Sequence, residues 1–283
     1  MGRKIAVRTR YFDDFTLDAC SSSSSSSPTS KGRRLRRLLA ALFGQPQPQP
    51  PRPTPPITQV LILGCGMDTR AWRLQLPNAT IVEVDVGPVL RAKEAVLREV
   101  QAQRQREGLD PIPLTVGARQ AIPADLADPE DDWPRRVARV VDVTRPVAVV
   151  MEGLLMYLGE AEVGALLARV GALAAAPGSR VGVSLVDWRS VRDAQASTSP
   201  LRRTWRWGCD ERACGPFFEG ALSTGGGGKG EWGVTHTVTV GKEGGYPDGA
   251  NYACWRNVGK WKRVGKTLYV LAERTGERRK RGR

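Results

Sequence analysis

The stretch Val60-Leu-Ile-Leu-Gly-Cys-Gly-Met-Asp-Thr-Arg70 constrains the chain more than any other. Four apolar residues run straight into a Gly-x-Gly pair, and the residues beyond it suit a helix. An apolar run of that length, closed by glycines, reads as a buried parallel strand turning into a helix. Gly64 and Gly66 lack a Cβ, so the backbone turns tightly there and a ligand can approach it closely. Open α/β sheets build nucleotide or nucleoside pockets at such a turn.

The rest of the pattern extends this unit. Residues 67–75 read as a helix, 76–78 as a turn, and the β-branched 79–86 as a second strand ending in the acids Glu83 and Asp85. Asp85 lies nineteen residues after Gly66, within the window where an acid at the second strand's end meets ribose hydroxyls. A carboxylate suits that place because it accepts two hydrogen bonds from a cis-diol. Residues 88–107 predict a long helix that turns Val89, Leu90, Ala92, Val96, Leu97 and Val100 to the sheet. A third strand is expected at 112–116, a short helix near 135–140, strands at 146–151 and 180–186, and a helix at 160–175 between them. This alternation predicts an α/β fold, a Rossmann-like doubly wound and mostly parallel sheet. Residues 193–230 read as irregular. Residues 232–240 and 266–272 read as a final antiparallel strand pair.

Composition breaks sharply near the start. Ser21 to Ser27 is an unbroken serine tract and 45–56 is nearly all Pro and Gln, flanking a basic stretch at 31–43 with the pattern of a short amphipathic helix. Such tracts bury too little apolar area to offset chain entropy and predict disorder. The segment before them, residues 6–17, places Val7, Tyr11 and Phe15 on one helical face, and its Asp13, Asp14 and Asp18 are unlike a targeting peptide. Position 6 is Ala, which breaks the myristoylation pattern begun by Met1-Gly2. No apolar run is long enough for a membrane span.

The formal charge of +14 sits mainly in the flanks. Residues 1–56 carry ten Lys/Arg against three Asp/Glu, 272–283 carry six against two, and the middle holds 27 against 24. The basicity therefore says little about the core's chemistry, and no specific nucleic-acid partner is expected. Five scattered cysteines predict reduced thiols and a cytoplasmic setting. With a single histidine in the chain, His236, no metal site is expected.

Two ligands compete for the Gly64 turn. A dinucleotide fingerprint needs a third glycine where Thr69 stands, and pyrophosphate is repelled by Asp68. A sulfonium nucleoside such as S-adenosyl-L-methionine has no phosphate and is positively charged, so Asp68 and Glu152 favour it. Electrostatics thus prefers the methyl donor over a nicotinamide dinucleotide.

Five motifs in order make this specific: Arg8-Thr-Arg-Tyr-Phe-Asp-Asp14, Leu63-Gly-Cys-Gly-Met-Asp-Thr-Arg70, Glu83-Val-Asp85, Ala124-Asp-Leu126 and Glu152-Gly-Leu-Leu-Met-Tyr-Leu158. Together they resemble the leucine carboxyl methyltransferase superfamily, and its bacterial-type small-molecule O-methyltransferases more than its phosphatase-modifying members. The resemblance implies a class I methyltransferase fold with S-adenosyl-L-methionine as cofactor. It divides the chain into an N-terminal helix at 1–19 that contributes to the cofactor site, an insertion at 20–56, a methyltransferase domain at 57–273 and a basic tail at 274–283.

The same resemblance implies residue roles. Arg8 or Arg10 would pair with the donor's methionine carboxylate, and Gly64 and Gly66 would line the methionine moiety with Asp68 and Arg70 near the loop. Asp85 would take the ribose hydroxyls, and Asp125 and the Leu126 amide would meet adenine. Glu152 would hold the donor's ammonium or line the reaction centre, and Tyr157 would border the acceptor site. Glu152 and Tyr157 are thus the candidate catalytic residues. The expected acceptor is a small-molecule carboxylate or hydroxyl, or a protein C-terminus. Two competing readings are a nucleic-acid- or membrane-surface-binding protein on a vestigial methyltransferase fold, from the basic flanks, and a nicotinamide oxidoreductase. The insertion separates Arg8 and Arg10 from the sheet, so either arginine reaches the donor only if the N-terminal segment folds back.

Overall fold

The computed structural model describes residues 2–21, 56–225, 231–240 and 266–275. Its strands are β1 (Gln59–Leu63), β2 (Leu76–Asp85), β3 (Val116–Pro123), β4 (Ala148–Glu152), β5 (Arg180–Val186), β6 (Trp232–Thr239) and β7 (Thr267–Arg274). They form one sheet in the order β3-β2-β1-β4-β5-β7-β6. The first five are parallel, β7 runs antiparallel to β5, and β6 runs antiparallel to β7. Strand order reverses between β1 and β4, which opens a crevice at their carboxyl ends.

Every residue of β1 is buried, as are six of the seven in β5. Sheets covered on both faces favour such unbroken apolar runs. One face packs against helix α1 (Gly2–Cys20), whose Tyr11, Phe12 and Phe15 join Val60, Ile62, Val150 and Tyr269 in a single cluster. The Tyr11 and Tyr269 ring centroids lie 4.7 Å apart. The other face is covered by Trp133 and Val137 of a short helix, α4 (Trp133–Val137), and by helices α5 (Glu160–Leu173) and α8 (Glu211–Gly225). The fold-back of the N-terminal segment is direct, because the Ile57 amide donates to the Ala19 carbonyl at 3.1 Å.

Several local expectations need correction. The helix expected at 67–75 shortens to α2 (Arg70–Arg73), and 76–78 is not a turn but the start of β2, with a register irregularity between Leu76 and Thr80. The third strand is not at 112–116. Pro111 and Pro113 offer no amide for a ladder, Ile112 and Leu114 are exposed, and the strand forms at Val116–Pro123 instead. That segment is polar because β3 is an edge strand that pairs only with β2.

Helix α3 (Gly87–Arg106) exists where expected but presents a different face. Leu90 and Lys93 are its buried residues, whereas Val96 and Val100 are exposed. A charge sets that rotation. Glu83 is fully buried in β2, and its Oε2 accepts from Lys93 Nζ and from Arg119 Nη2, each at 2.7 Å. The Arg119 guanidinium also lies over the Trp72 ring, 4.7 Å from its centroid.

The segment read as irregular, 193–230, begins inside α6 (Trp188–Gln195) and contains α7 (Pro200–Arg203) and α8. Cys214, Phe218 and Leu222 are buried at i, i+4, i+8 along α8, a helical spacing masked by the Gly and Pro216 between them. The remaining elements shift by a few residues at their ends. Of the disordered insertion predicted at 20–56, residues 22–55 lie outside the described residues, as do the basic helix at 31–43 within it and residues 276–283 of the tail predicted at 274–283.

Candidate functional site

The site assembles at the carboxyl ends of β1, β2 and β4. Beyond β1 the chain turns through Gly64 and Gly66, at φ +66° and +48°. L side chains rarely adopt this left-handed region, so glycine fits the turn. The Gly64 and Cys65 amides both donate to the Val84 carbonyl, at 2.9 and 3.2 Å. A Cβ on Gly64 would lie 3.0 Å from Leu154 Cδ1, so this turn and the loop after β4 pack closely.

Asp85 ends β2 and closes the turn from the other side. Its Oδ2 accepts from the Gly66 amide and its Oδ1 from the Val86 amide, each at 2.8 Å. Both carboxylate oxygens are thereby fixed, and each retains a lone pair for a further donor. The next strand over delivers Asp125 and Leu126 beside it, since the Ala124 amide donates to the Asp85 carbonyl at 2.9 Å. Asp125 is exposed and accepts from the Ala127 amide at 3.0 Å, while Leu126 is buried.

On the β4 side lies a cluster of six charged groups. Arg70, only 1 % exposed, is its hub. Arg70 Nε lies 3.0 Å from Asp13 Oδ1, and its two terminal nitrogens contact Asp68 and Glu152. Arg8 Nε reaches Glu152 Oε2 at 3.2 Å, and Arg73 Nη2 donates to Asp13 Oδ1 at 2.8 Å. Asp68 also receives the Arg70 amide at 2.7 Å. Three guanidiniums and three carboxylates balance formally.

Burial works against the charge on Arg70, but Glu152, Asp68 and Asp13 outweigh it and hold its pKa above the ordinary value. Burial raises the Glu152 carboxyl above the usual range, and Arg70 and Arg8 counter this only in part. Gly153, the next residue, has φ +67°, and a Cβ there would sit 3.0 Å from Arg8 Nη1. Its amide donates to Ser184 Oγ in β5 at 2.8 Å, which ties the loop to the neighbouring strand.

The structure therefore brings together Arg8, Asp68, Arg70 and Glu152, and sets Gly64, Gly66, Asp85, Asp125 and Leu126 along the adjoining strand ends. It does not bring in Arg10, whose side chain is 68 % exposed and pairs with Asp14 along the helix. Arg8 and Arg10 are two residues apart, about 200° around the helix, so they leave α1 on nearly opposite sides. Tyr157 closes a 3-10 turn (Leu155–Tyr157) five residues after Glu152, where it packs with Trp188 and Trp205 around Met156. Sequence reasoning missed Asp13 and Arg73 as members of the cluster. The available signal was an acid directly after Phe12, a buried residue of the helix face that meets the sheet.

Residues 54–171 match the family model for leucine carboxyl methyltransferase. A candidate S-adenosyl-L-methionine-dependent methyltransferase of Frankia alni is 40 % identical over 131 residues, which is 46 % of this chain and 41 % of that protein. Another, from Mycolicibacterium vanbaalenii, is 33 % identical over 207 residues, 72 % of this chain and 53 % of its own. The chain spans about half the length of the curated relatives it matches. Among solved structures, a DUF574 family protein from Streptomyces avermitilis overlaps 86 % of this chain and 80 % of that one at 16 % identity and a TM-score of 0.48. Over residues 54–171, which hold the glycine turn and strands β1 to β4, the chain is similar to the leucine carboxyl methyltransferase family.

Proposed function

We propose that this chain is an S-adenosyl-L-methionine-dependent methyltransferase that moves a methyl group to an oxygen acceptor, a carboxylate in the first instance. The observation that carries the reading is the Arg8–Glu152 pair, 3.2 Å apart beside the glycine turn. A guanidinium next to a carboxylate matches the two charges of an amino-acid zwitterion, and guanidinium binds carboxylate in a bidentate fork. The names of the relatives support the same donor.

The residues present fit that donor and fit a pyrophosphate badly. Asp68 sits at the start of α2, where a phosphate would need bare amides. In the proposed complex Arg8 takes the methionine carboxylate and Glu152 the ammonium, so the pair exchanges its internal contact for two with the ligand. Asp85, held by the Gly66 and Val86 amides, takes the ribose hydroxyls. Asp125 and the Leu126 amide take the adenine edge. Tyr157 borders the acceptor.

The donor supplies an electrophilic methyl on a sulfonium. Transfer to oxygen is an in-line displacement in which the new C–O bond forms as the sulfur–carbon pair returns to sulfur. A carboxylate acceptor is already ionised near neutral pH, so no general base is required. The protein's part is then proximity and orientation, which suits a site of fixed ion pairs.

The test is incubation with methyl-labelled donor and a panel of carboxylic acids, phenols and peptides with free C-termini. Methyl esters release labelled methanol in mild base, whereas ethers and methylamines retain the label. Base-labile product supports carboxyl transfer, base-stable product moves the reading to a hydroxyl or nitrogen acceptor, and steep salt-dependent binding to RNA or anionic vesicles without donor binding replaces it.

A further inference from the structure

We infer that Asp13 is a positioning residue for the donor's methionine moiety, acting through Arg70 and the helix that carries Arg8; the inference rests on the donor reading above. Four of the ion-paired groups make a closed circuit. Arg8 of α1 contacts Glu152 at the end of β4, Glu152 contacts Arg70 of α2, and Arg70 returns to Asp13 of α1. Arg73 braces the same carboxylate from the next turn of α2. Arg8 and Asp13 are five residues apart, about 7.5 Å along the helix and about 140° around it. Two fixed points so separated set both the translation and the rotation of α1 against the sheet.

Apolar packing alone does not need this circuit. Val7, Tyr11, Phe12, Phe15 and Ala19 already bury one side of α1, and a buried ion-pair network is a weak stabiliser compared with apolar side chains of the same volume. Its evident product is register. The apolar docking chooses which face of α1 meets the sheet, and the paired charges at Arg8 and Asp13 then tie two points of that helix to β4 and α2. The group held in register is Arg8, whose guanidinium lies against Gly153, where even a Cβ would crowd it. Asp13 also balances the cluster's charge, so its neutralisation leaves an excess positive charge beside the place proposed for a cationic sulfonium.

The test compares S-adenosylhomocysteine, which carries the methionine-derived zwitterion, with 5′-methylthioadenosine, which lacks it, by calorimetric titration of the full chain. Asp13→Asn is expected to weaken S-adenosylhomocysteine by about tenfold or more, the scale of a displaced charge-assisted bond, and to leave 5′-methylthioadenosine within about twofold. Asp13→Glu, which keeps the charge, is expected to recover most of the loss. Arg73→Gln removes the brace with less disturbance and is expected to show a smaller selective loss, which serves if Asp13→Asn does not fold. Parallel loss of both ligands, or no loss of either, overturns the proposal. A wild-type chain that binds neither ligand overturns the donor reading itself.

Discussion

Asp85→Asn is the sharpest perturbation of the nucleoside side, because the side chain keeps its shape while one acceptor oxygen becomes a donor and the charge is lost. The carboxylate offers about four lone-pair sites. The Gly66 and Val86 amides occupy one on each oxygen, at 2.8 Å, and the remaining two are assigned to the ribose diol. Asparagine has one acceptor oxygen. If it faces Gly66, the amide nitrogen meets the Val86 N–H donor to donor, and one diol acceptor is lost. A hydrogen bond to a charged group contributes about 1.5–3 kcal/mol, so affinity for S-adenosylhomocysteine should fall by about ten- to a hundredfold. Calorimetry reads this directly, and a 2′,3′-dideoxy analogue isolates its cause. The wild type should discriminate strongly against the analogue, and the variant should not. Asp85→Asn binding within about threefold of wild type, or undiminished discrimination, would refute the ribose assignment.

Three other outcomes follow from the geometry. Gly153→Ala should cost about 1–2 kcal/mol of stability in denaturant titration, because φ is +67° and the new methyl meets Arg8 Nη1, and should weaken S-adenosylhomocysteine more than 5′-methylthioadenosine. Replacing residues 22–55 with a short Gly/Ser linker should leave S-adenosylhomocysteine affinity unchanged, since Ala19 and Ile57 are already hydrogen-bonded across that interval; lost binding would show that the segment belongs to the site. Burial, with Glu83 adding to it, pushes the Cys65 thiol up to about 12, so iodoacetamide at mildly alkaline pH should label it only after unfolding. The thiol binds its proton more tightly in the folded chain than in the unfolded one. Its contribution to stability is therefore complete below the ordinary value of 9.0 and lost as pH rises towards about 12.

The parts of this fold that were legible in the sequence are those that one local cause determines. The runs Val60–Leu63 and Val181–Val186 are strands because both faces of the sheet are covered, and stretches rich in Val and Leu fit such a place. The turn was legible because two glycines sit where the backbone adopts positive φ. Edges and rotations were not. Strand β3 looks polar because one side has no partner strand, and the apolar residues at 112–114 misled because prolines keep them out of a ladder. The face of α3 was misjudged because the deciding contact, Lys93 to Glu83, joins two charges that no hydrophobic pattern reveals.

The candidate site divides in the same way. Asp85 and Gly66 stand at a fixed spacing across one β-α-β unit, so their contact could be anticipated. Arg8 and Arg10 differ by two helix positions, and only the docking of Tyr11 and Phe12 against Tyr269 selects Arg8. Asp13 meets Arg70 across 57 residues of chain, a contact created by the fold-back of α1 and written in no local motif.

What the Gly64 turn binds decides between the donor and a nicotinamide dinucleotide. Side-by-side calorimetric titrations of the full chain with S-adenosylhomocysteine and with NADPH test it. The expected result is saturable one-to-one binding of S-adenosylhomocysteine, weakened by Arg8→Ala and by Glu152→Gln but not by Arg10→Ala, and no heat with NADPH. Binding of NADPH without S-adenosylhomocysteine would contradict it.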